Sequence, residues 1–247
     1  MRKNIPAFTL ITTILVLWQI VAMLLDAPYI LPSPTQIAAK LWELRETLFL
    51  VQLPATMGVT FLGLGISVVF GLGLAVAMDC SEKLENALYP VIVASQTIPT
   101  TAIAPLFVLW FGYSIWSKVL VTVLMTFFPI TIAVFDGLKS TSREMEELLI
   151  TYGANKKDIF FKLKVPQSLP NFFSAIKMAV PLSIIGAAIA EWLGAQSGLG
   201  YFSKRMMTQL DGAGVFAPIV LLSAVAMLIV AIINIIEKKL LGWRKEI

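Results

Sequence analysis

The sequence of 247 residues contains no histidine and one cysteine, Cys80. A lone thiol cannot close an internal disulfide, so no oxidised framework is available. Without histidine a Ser-His-Asp triad is excluded. With a single cysteine the usual zinc ligand sets are missing as well, so neither a catalytic constellation nor a metal site is expected. Charge is also scarce: 14% of residues are Asp, Glu, Lys or Arg, against about a quarter in ordinary globular chains. No G-x-x-x-x-G-K-[ST] phosphate loop occurs, so the chain cannot bind and split ATP by that route. What is abundant is apolar surface. Hydrophobic residues make up 58% of the chain and the mean hydropathy is +0.85, which places it in lipid.

A helix rises about 1.5 Å per residue, so a hydrocarbon core of roughly 30 Å needs about 20 apolar residues. Six stretches reach or approach that length: 8–25, 57–78, 88–111, 119–135, 172–193 and 215–236. The expected fold is all-α, a polytopic membrane bundle of about six helices in a single domain over 1–247. Arg2 and Lys3 would also suit a cleaved signal peptide, but the first stretch is long for one and a small-x-small cleavage pattern is poor around Asp26 and Pro28. Six spans put both termini on one side. That side carries thirteen Lys and Arg, six of them between 136 and 171 (Lys139, Arg143, Lys156, Lys157, Lys162 and Lys164). The other side carries five, at Lys40, Arg45, Lys118, Lys204 and Arg205, and Lys177 lies near a span end. The positive-inside rule then makes both termini cytoplasmic. The net charge of +4 is a topology signal, and nucleic acid is not an expected partner.

Local patterns refine this reading. Three prolines between Pro28 and Pro34 forbid a helix there. Thr35 reads as an N-cap for a short amphipathic helix with Ile37, Leu41, Leu44 and Leu48 on one face, either lying on the external surface or leading into the second span. Gly63, Ser67, Gly71 and Ala75 recur every fourth residue, a spacing that lets helix backbones approach closely in lipid, between subunits or within one. Pro90, Pro99 and Pro105 interrupt the third stretch, with Ser95, Gln96, Thr97, Thr100 and Thr101 around Pro99. Broken backbone at membrane depth is tolerated where protein or a water-filled cavity satisfies it, and broken helices often line transport paths. Gln96, Thr97 and Thr100 are therefore candidates to line a path. Glu191 ends the fifth span and reads equally as an acid at the headgroups or one facing a cavity. Trp110 and Trp192 suit the interface belt.

The loop 136–171 carries the most specific pattern. It contains Glu147, Leu148 and Leu149, three further residues, Gly153, nine further residues, then Leu163, Lys164, Val165 and Pro166. Acids near Arg143 suit a helix start, Gly153 suits a helix end, and Asn155 or Asp158 suits a second start. Leu148, Leu149, Ile159, Phe160, Leu163 and Val165 are apolar on the wet side of the membrane and need a cover, either the span ends or a partner protein.

That spacing resembles the EAA loop of the permeases of bacterial ATP-binding-cassette (ABC) importers, with two Leu in place of Ala, Leu for Ile and Val for Leu. Leu31-Pro32-Ser33-Pro34 and the run from Ile98 to Gly112 look like the permeases of the nitrate, sulfonate, taurine and thiamine-precursor group. Glu191-Trp192-Leu193-Gly194 with Gly198-Leu199-Gly200 looks closest to importers of pyrimidine-type thiamine precursors. The resemblance implies a type I importer permease in the bacterial inner membrane. Its partners would be a second copy of this permease as a homodimer, two copies of a cytoplasmic ABC ATPase, and an extracytoplasmic substrate-binding protein met by the glycine-rich loop 194–214. The chain itself would bind no cofactor, with ATP and Mg in the ATPase. A short coupling helix at about 154–161 would enter the ATPase, using Glu147, Gly153, Ala154, Lys157, Ile159, Phe160, Leu163 and Pro166. The resemblance also adds Ser183 and Glu191 of the fifth span to Gln96, Thr97 and Thr100 as candidate path residues. No cation at a span centre would favour a polar heteroaromatic substrate over an anion. A stand-alone secondary transporter would need coupling acids inside the spans, where only Glu191 qualifies. An intramembrane enzyme would need paired acids at one depth, and Asp136 and Glu191 lie at opposite faces.

Overall fold

Long runs of Leu, Ile, Val, Ala and Phe satisfy their backbone polar groups internally when helical, which is the condition for crossing lipid. The computed structural model describes residues 5–242; the charges at Arg2, Lys3, Arg244 and Lys245 lie outside them. Among the described residues the chain is helical throughout, with no strand. In order, the helices are α1 (Ile5–Leu25), α2 (Pro34–Glu43), α3 (Leu53–Cys80), α4 (Glu82–Ser95), α5 (Thr100–Phe111), α6 (Ile115–Lys139), α7 (Arg143–Thr151), α8 (Lys156–Ile159), α9 (Val165–Gly194), α10 (Leu199–Thr208) and α11 (Gly212–Leu240). π-helical segments, Thr47–Gln52 and Phe160–Lys164, lead into α3 and α9. Five helical runs are long and apolar enough to cross a membrane, and α4 with α5 forms a sixth that is bent by 96°.

α3, α6 and α9 form the centre. The small residues of α3 face α6 of the same chain. A Cβ on Gly63 would fall 2.6 Å from the Thr122 side chain, and one on Gly71 would fall 3.1 Å from Ile130. Ser67 Oγ and Thr126 Oγ1 share a hydrogen bond of 2.7 Å between them. Because 63, 67 and 71 meet 122, 126 and 130 in rising order, α3 and α6 run parallel. α9 is antiparallel to both: Gly137 meets Asn171 near one end of α6, and Gly186 meets Thr122 near the other.

Parallel packing of α3 and α6 requires the chain between them to return across the membrane, and α4 and α5 do so. α4 starts beside the end of α6, where Lys139 Nζ lies 2.6 Å from Glu85. α5 ends at the opposite face, where Tyr113 packs against Gly194. The stretch 88–111 is thus one crossing made of two helices. Pro99 stands immediately before α5 and Pro90 and Pro105 lie inside the halves. The 96° angle follows from the non-helical step between Ser95 and Thr100, since an internal proline alone only kinks.

The external segment differs from the reading in one cap. Ser33, not Thr35, is the N-cap of α2: its hydroxyl accepts from the Gln36 N–H while the Gln36 side chain accepts from the Ser33 N–H. The reciprocal pair fits the S-x-x-Q capping box, and it leaves Pro34 at the first helical position, where a missing N–H costs nothing. α2 then docks on the start of α11, where Lys40 lies 3.2 Å from Asp211. Asp211 holds the Lys40 ammonium above its ordinary value, and it also caps α11 through the Gly214 N–H.

The α3–α6 seam predicts a contrast between neighbouring glycines. Gly63→Ala should lower stability by about 1–3 kcal/mol, as overpacking does. Gly65→Ala, with open space at its Cβ, should leave stability unchanged or raise it by about 0.5–1 kcal/mol through helix propensity. Thermal unfolding in detergent distinguishes them, and equal midpoints would contradict the seam.

Candidate functional site

The loop between α6 and α9 is built from two caps set back to back. Ser142 Oγ accepts from the Met145 N–H to start α7, and Glu144 and Glu146 lie in its first turn where the helix dipole favours acids. At its end the Gly153 N–H donates to the Ile150 carbonyl at 2.9 Å and the Ala154 N–H to the Leu149 carbonyl at 3.0 Å. These are the two bonds of a Schellman motif, which needs a left-handed residue at Gly153, and its φ is +83°. Asn155 then caps α8 by accepting from the Lys157 and Asp158 N–H groups, while Asp158 accepts from the Asn155 N–H.

The turn sorts the apolar residues into two sets. Ile159 is buried, and Phe160 packs on the core that holds Met78, Val134 and Leu138. Leu148, Ile150, Tyr152 and Phe161 are exposed, Tyr152 at 80%. Of the expected contact residues, Glu147, Gly153 and Lys157 are exposed, while Ala154, Leu163 and Pro166 are half-buried. Glu147 carries an exposed ion pair with Arg143 at 2.9 Å, a kind worth about 0.3–0.5 kcal/mol. The helix expected at 154–161 is shorter, Lys156–Ile159, and does not end there. It continues through the π-helical segment into α9. Pro166 is the second residue of α9, directly after the π-helical segment, so the chain is already helical before 166.

The five candidate path residues do not converge within one chain. Gln96 and Thr100 line a cavity of about 180 Å³ with Ser95, Ile98, Met125 and Phe128. Met125 and Phe128 lie midway along α6, so the break in the third span is at mid-membrane height. Thr97 is exposed beside this cavity, its hydroxyl donating to the Ala94 carbonyl. Ser183 is fully buried in α9 and donates to the Val180 carbonyl.

Glu191 is 1% exposed and stands in the wall of a cavity of about 430 Å³ that Tyr113, Gln196, Tyr201, Lys204 and Arg205 also line. Its carboxylate accepts from Thr56 Oγ1 at 3.1 Å and from the Gly200 N–H at 2.8 Å. Gln52 Oε1 accepts the Gly198 N–H and Thr56 Oγ1 accepts the Leu199 N–H. Gly198, at φ +119°, passes so close that a Cβ would overlap the Glu191 carboxyl group. Glu191 therefore receives the start of α10 and latches the external loop to α3. Sequence reasoning missed Gln52 and Thr56 because they lie 146 and 135 residues from their partners; the only local signal was the glycine pattern at 198 and 200.

The sequence pattern described as "Binding-protein-dependent transport system inner membrane component" matches residues 67–242. The chain belongs to that family. It is a multi-pass inner-membrane permease component of an ABC importer, and membership implies an ATPase and a substrate-binding protein as partners. This permease is 55% identical to the formylaminopyrimidine transport permease protein ThiX of Halalkalibacterium halodurans, over 94% of this chain and 93% of that one. It is 32% identical to the riboflavin transport system permease protein RibX of Chloroflexus aurantiacus, over 98% and 92%. The group named from the sequence holds too, through relatives named for sulfonate, taurine and nitrate transport. In fold the permease is similar to the inward-facing MetNI methionine ABC transporter, with a TM-score of 0.63 at 18% identity over 82% of this chain and 96% of that one.

The external latch has a direct test. Gly198→Ala should free the loop, because the new Cβ meets Glu191 and the backbone angle disfavours any side chain. Trypsin should then cut at Lys204 or Arg205 in detergent at least about tenfold faster than in the wild type, while Gly65→Ala changes nothing; equal cleavage would remove the latch.

Proposed function

We propose that this permease imports a pyrimidine-type thiamine precursor of the formylaminopyrimidine class, as a homodimer driven by two ABC ATPase subunits and fed by a substrate-binding protein. The observation that carries the reading is the cytoplasmic turn at Gly153. Its Schellman geometry presents Leu148, Ile150, Tyr152 and Phe161 to the cytoplasm, and apolar residues in such a position suit a partner's groove. Glu147, Gly153, Ala154, Lys157, Ile159, Phe160, Leu163 and Pro166 form the coupling segment. ATP and Mg are held by the ATPase, and this chain binds no cofactor. Both termini lie in the cytoplasm.

The path runs past the broken third span. Gln96, Thr97 and Thr100 offer neutral donors and acceptors at mid-membrane height, which suit an uncharged heteroaromatic carrying amino groups and ring nitrogens. The 55% identity to the formylaminopyrimidine permease supports the same substrate class. Ser183 and Glu191 act behind this face, in packing and in holding the external loop. ATP binding closes the ATPase pair and favours the outward-facing state, hydrolysis favours the inward-facing one, and the bundle responds because its two states make different contacts with the partners. The secondary-transporter alternative would need coupling acids inside the spans, where Glu191 alone qualifies, and Glu191 is engaged by Thr56 and the Gly200 N–H.

Purification from the native membrane should bring down the ATPase with the wild type and lose it with Gly153→Trp, whose side chain cannot take the left-handed turn without strain. Reconstituted with its partners, the wild type should accumulate formylaminopyrimidine in preference to taurine by at least about tenfold. Absence of an ATPase from well-folded wild type would end the importer reading, and preference for taurine would end the substrate assignment. Cys80, exposed at the end of α3, should react with a membrane-impermeant maleimide only after cells are opened; labelling of intact cells would invert the topology.

A further inference from the structure

Residues 156–194 form one unbroken helical run, from α8 through the π-helical segment and α9. A displacement of α8 therefore reaches α9 through covalent bonds. α3 has no such link to the loop. What it has is apolar packing, through the core that Met78 shares with Phe160, and Asp79, one residue before its last, lying at the negative end of the helix dipole where an acid is locally unfavourable. The Asp79 side chain is only 3% exposed. Lys164 Nζ reaches both of its oxygens, at 2.9 and 3.2 Å, and lies 3.6 Å from Glu146 of α7. One ammonium thus joins α3, α7 and the segment leading out of α8. At the external face the same two long helices are tied again by Thr56 and Glu191, with α6 packed between them.

We propose that the Asp79–Lys164 pair is the joint through which motion of the coupling segment is delivered to α3, so that α3, α6 and α9 turn as one body. This rests on the importer reading above. The pair is a positioning pair, since neither residue belongs to the exposed surface assigned to the ATPase. A joint of this kind makes a distinction that a merely stabilising contact does not. Its loss leaves the ATPase bound and working but disconnects it from the substrate path.

The test uses the full complex in proteoliposomes with its ATPase and binding protein. With Lys164→Met, ATPase co-purification should stay within about twofold of wild type. Uptake should fall at least about tenfold, and stimulation of ATP hydrolysis by loaded binding protein should disappear. Lys164→Arg should retain uptake, and the exchange Asp79→Lys with Lys164→Asp should recover a substantial part of it. Should Lys164→Met fail to fold because Asp79 is left buried and unpaired, Asp79→Asn with Lys164→Met removes both charges and is read for the same uncoupling. Wild-type uptake in any folded variant lacking the pair overturns the proposal. So does parallel loss of ATPase co-purification and uptake, which would make the pair a support for the docking surface. An ATPase missing from the wild-type complex would defeat the importer reading, not the joint.

Discussion

The close approach of α3 to α6 is the constraint on which the rest depends. In lipid there is no hydrophobic gain in bringing two apolar helices together, so association relies on backbone proximity, dispersion and a few hydrogen bonds. Gly63, Ser67 and Gly71 supply the proximity, and Thr122, Thr126 and Thr131 fill it without leaving polar atoms exposed to hydrocarbon. Once these two helices are parallel, the chain between them must recross the membrane, and it does so through a broken pair. Once α9 packs antiparallel on α6, the loop between them is held at one face and the start of α10 at the opposite one. Topology, the Gly153 loop and the Glu191 latch all follow from one seam.

The two ends of the central body use different chemistry. The end beside the Gly153 loop is built from formal charges, Lys164 on Asp79 and Lys139 on Glu85. The opposite end is built on Glu191, whose Oε2 accepts from the Thr56 hydroxyl and the Gly200 N–H. Hydrogen bonds to a charged acceptor are worth roughly 1.5–3 kcal/mol each where water is excluded. A buried carboxylate left without them would be costly. Each end therefore holds its partner helices firmly, while α1 presents most of its surface outward.

Much of this was legible because membrane insertion leaves strong one-dimensional marks. Apolar runs, the bias of Lys and Arg, and the 20-residue spacing around Gly153 are local features, and family membership and the all-helical fold follow from them. Other features were not legible, because they depend on residues far apart in the chain. Nothing near Glu191 announces Thr56, and nothing near Lys164 announces Asp79, 85 residues away. The prolines of the third span announced a break but not its angle, since the angle is set by the non-helical step at 96–99. The small-residue repeat in α3 could not say whether its partner lay in the same chain; only packing decides that. Ser33 and Thr35 both place a hydroxyl ahead of the same apolar pattern, so the pattern alone does not choose the cap.

The π-helical turn at Phe160–Lys164 has a consequence for how this region tolerates change in length. A π turn holds an extra residue within a helix, and an α-helix advances about 100° for every residue. The segment thus sets the angular phase between α8 and everything after it, including the face of α9 that carries Gly186 toward Thr122 of α6. Loops of membrane proteins usually absorb insertions and deletions without propagating them. Here a single residue gained or lost between Ile159 and Val165 would rotate a 30-residue helix against its neighbours. The join behaves as a keyed shaft, and its length is as constrained as any residue in the core.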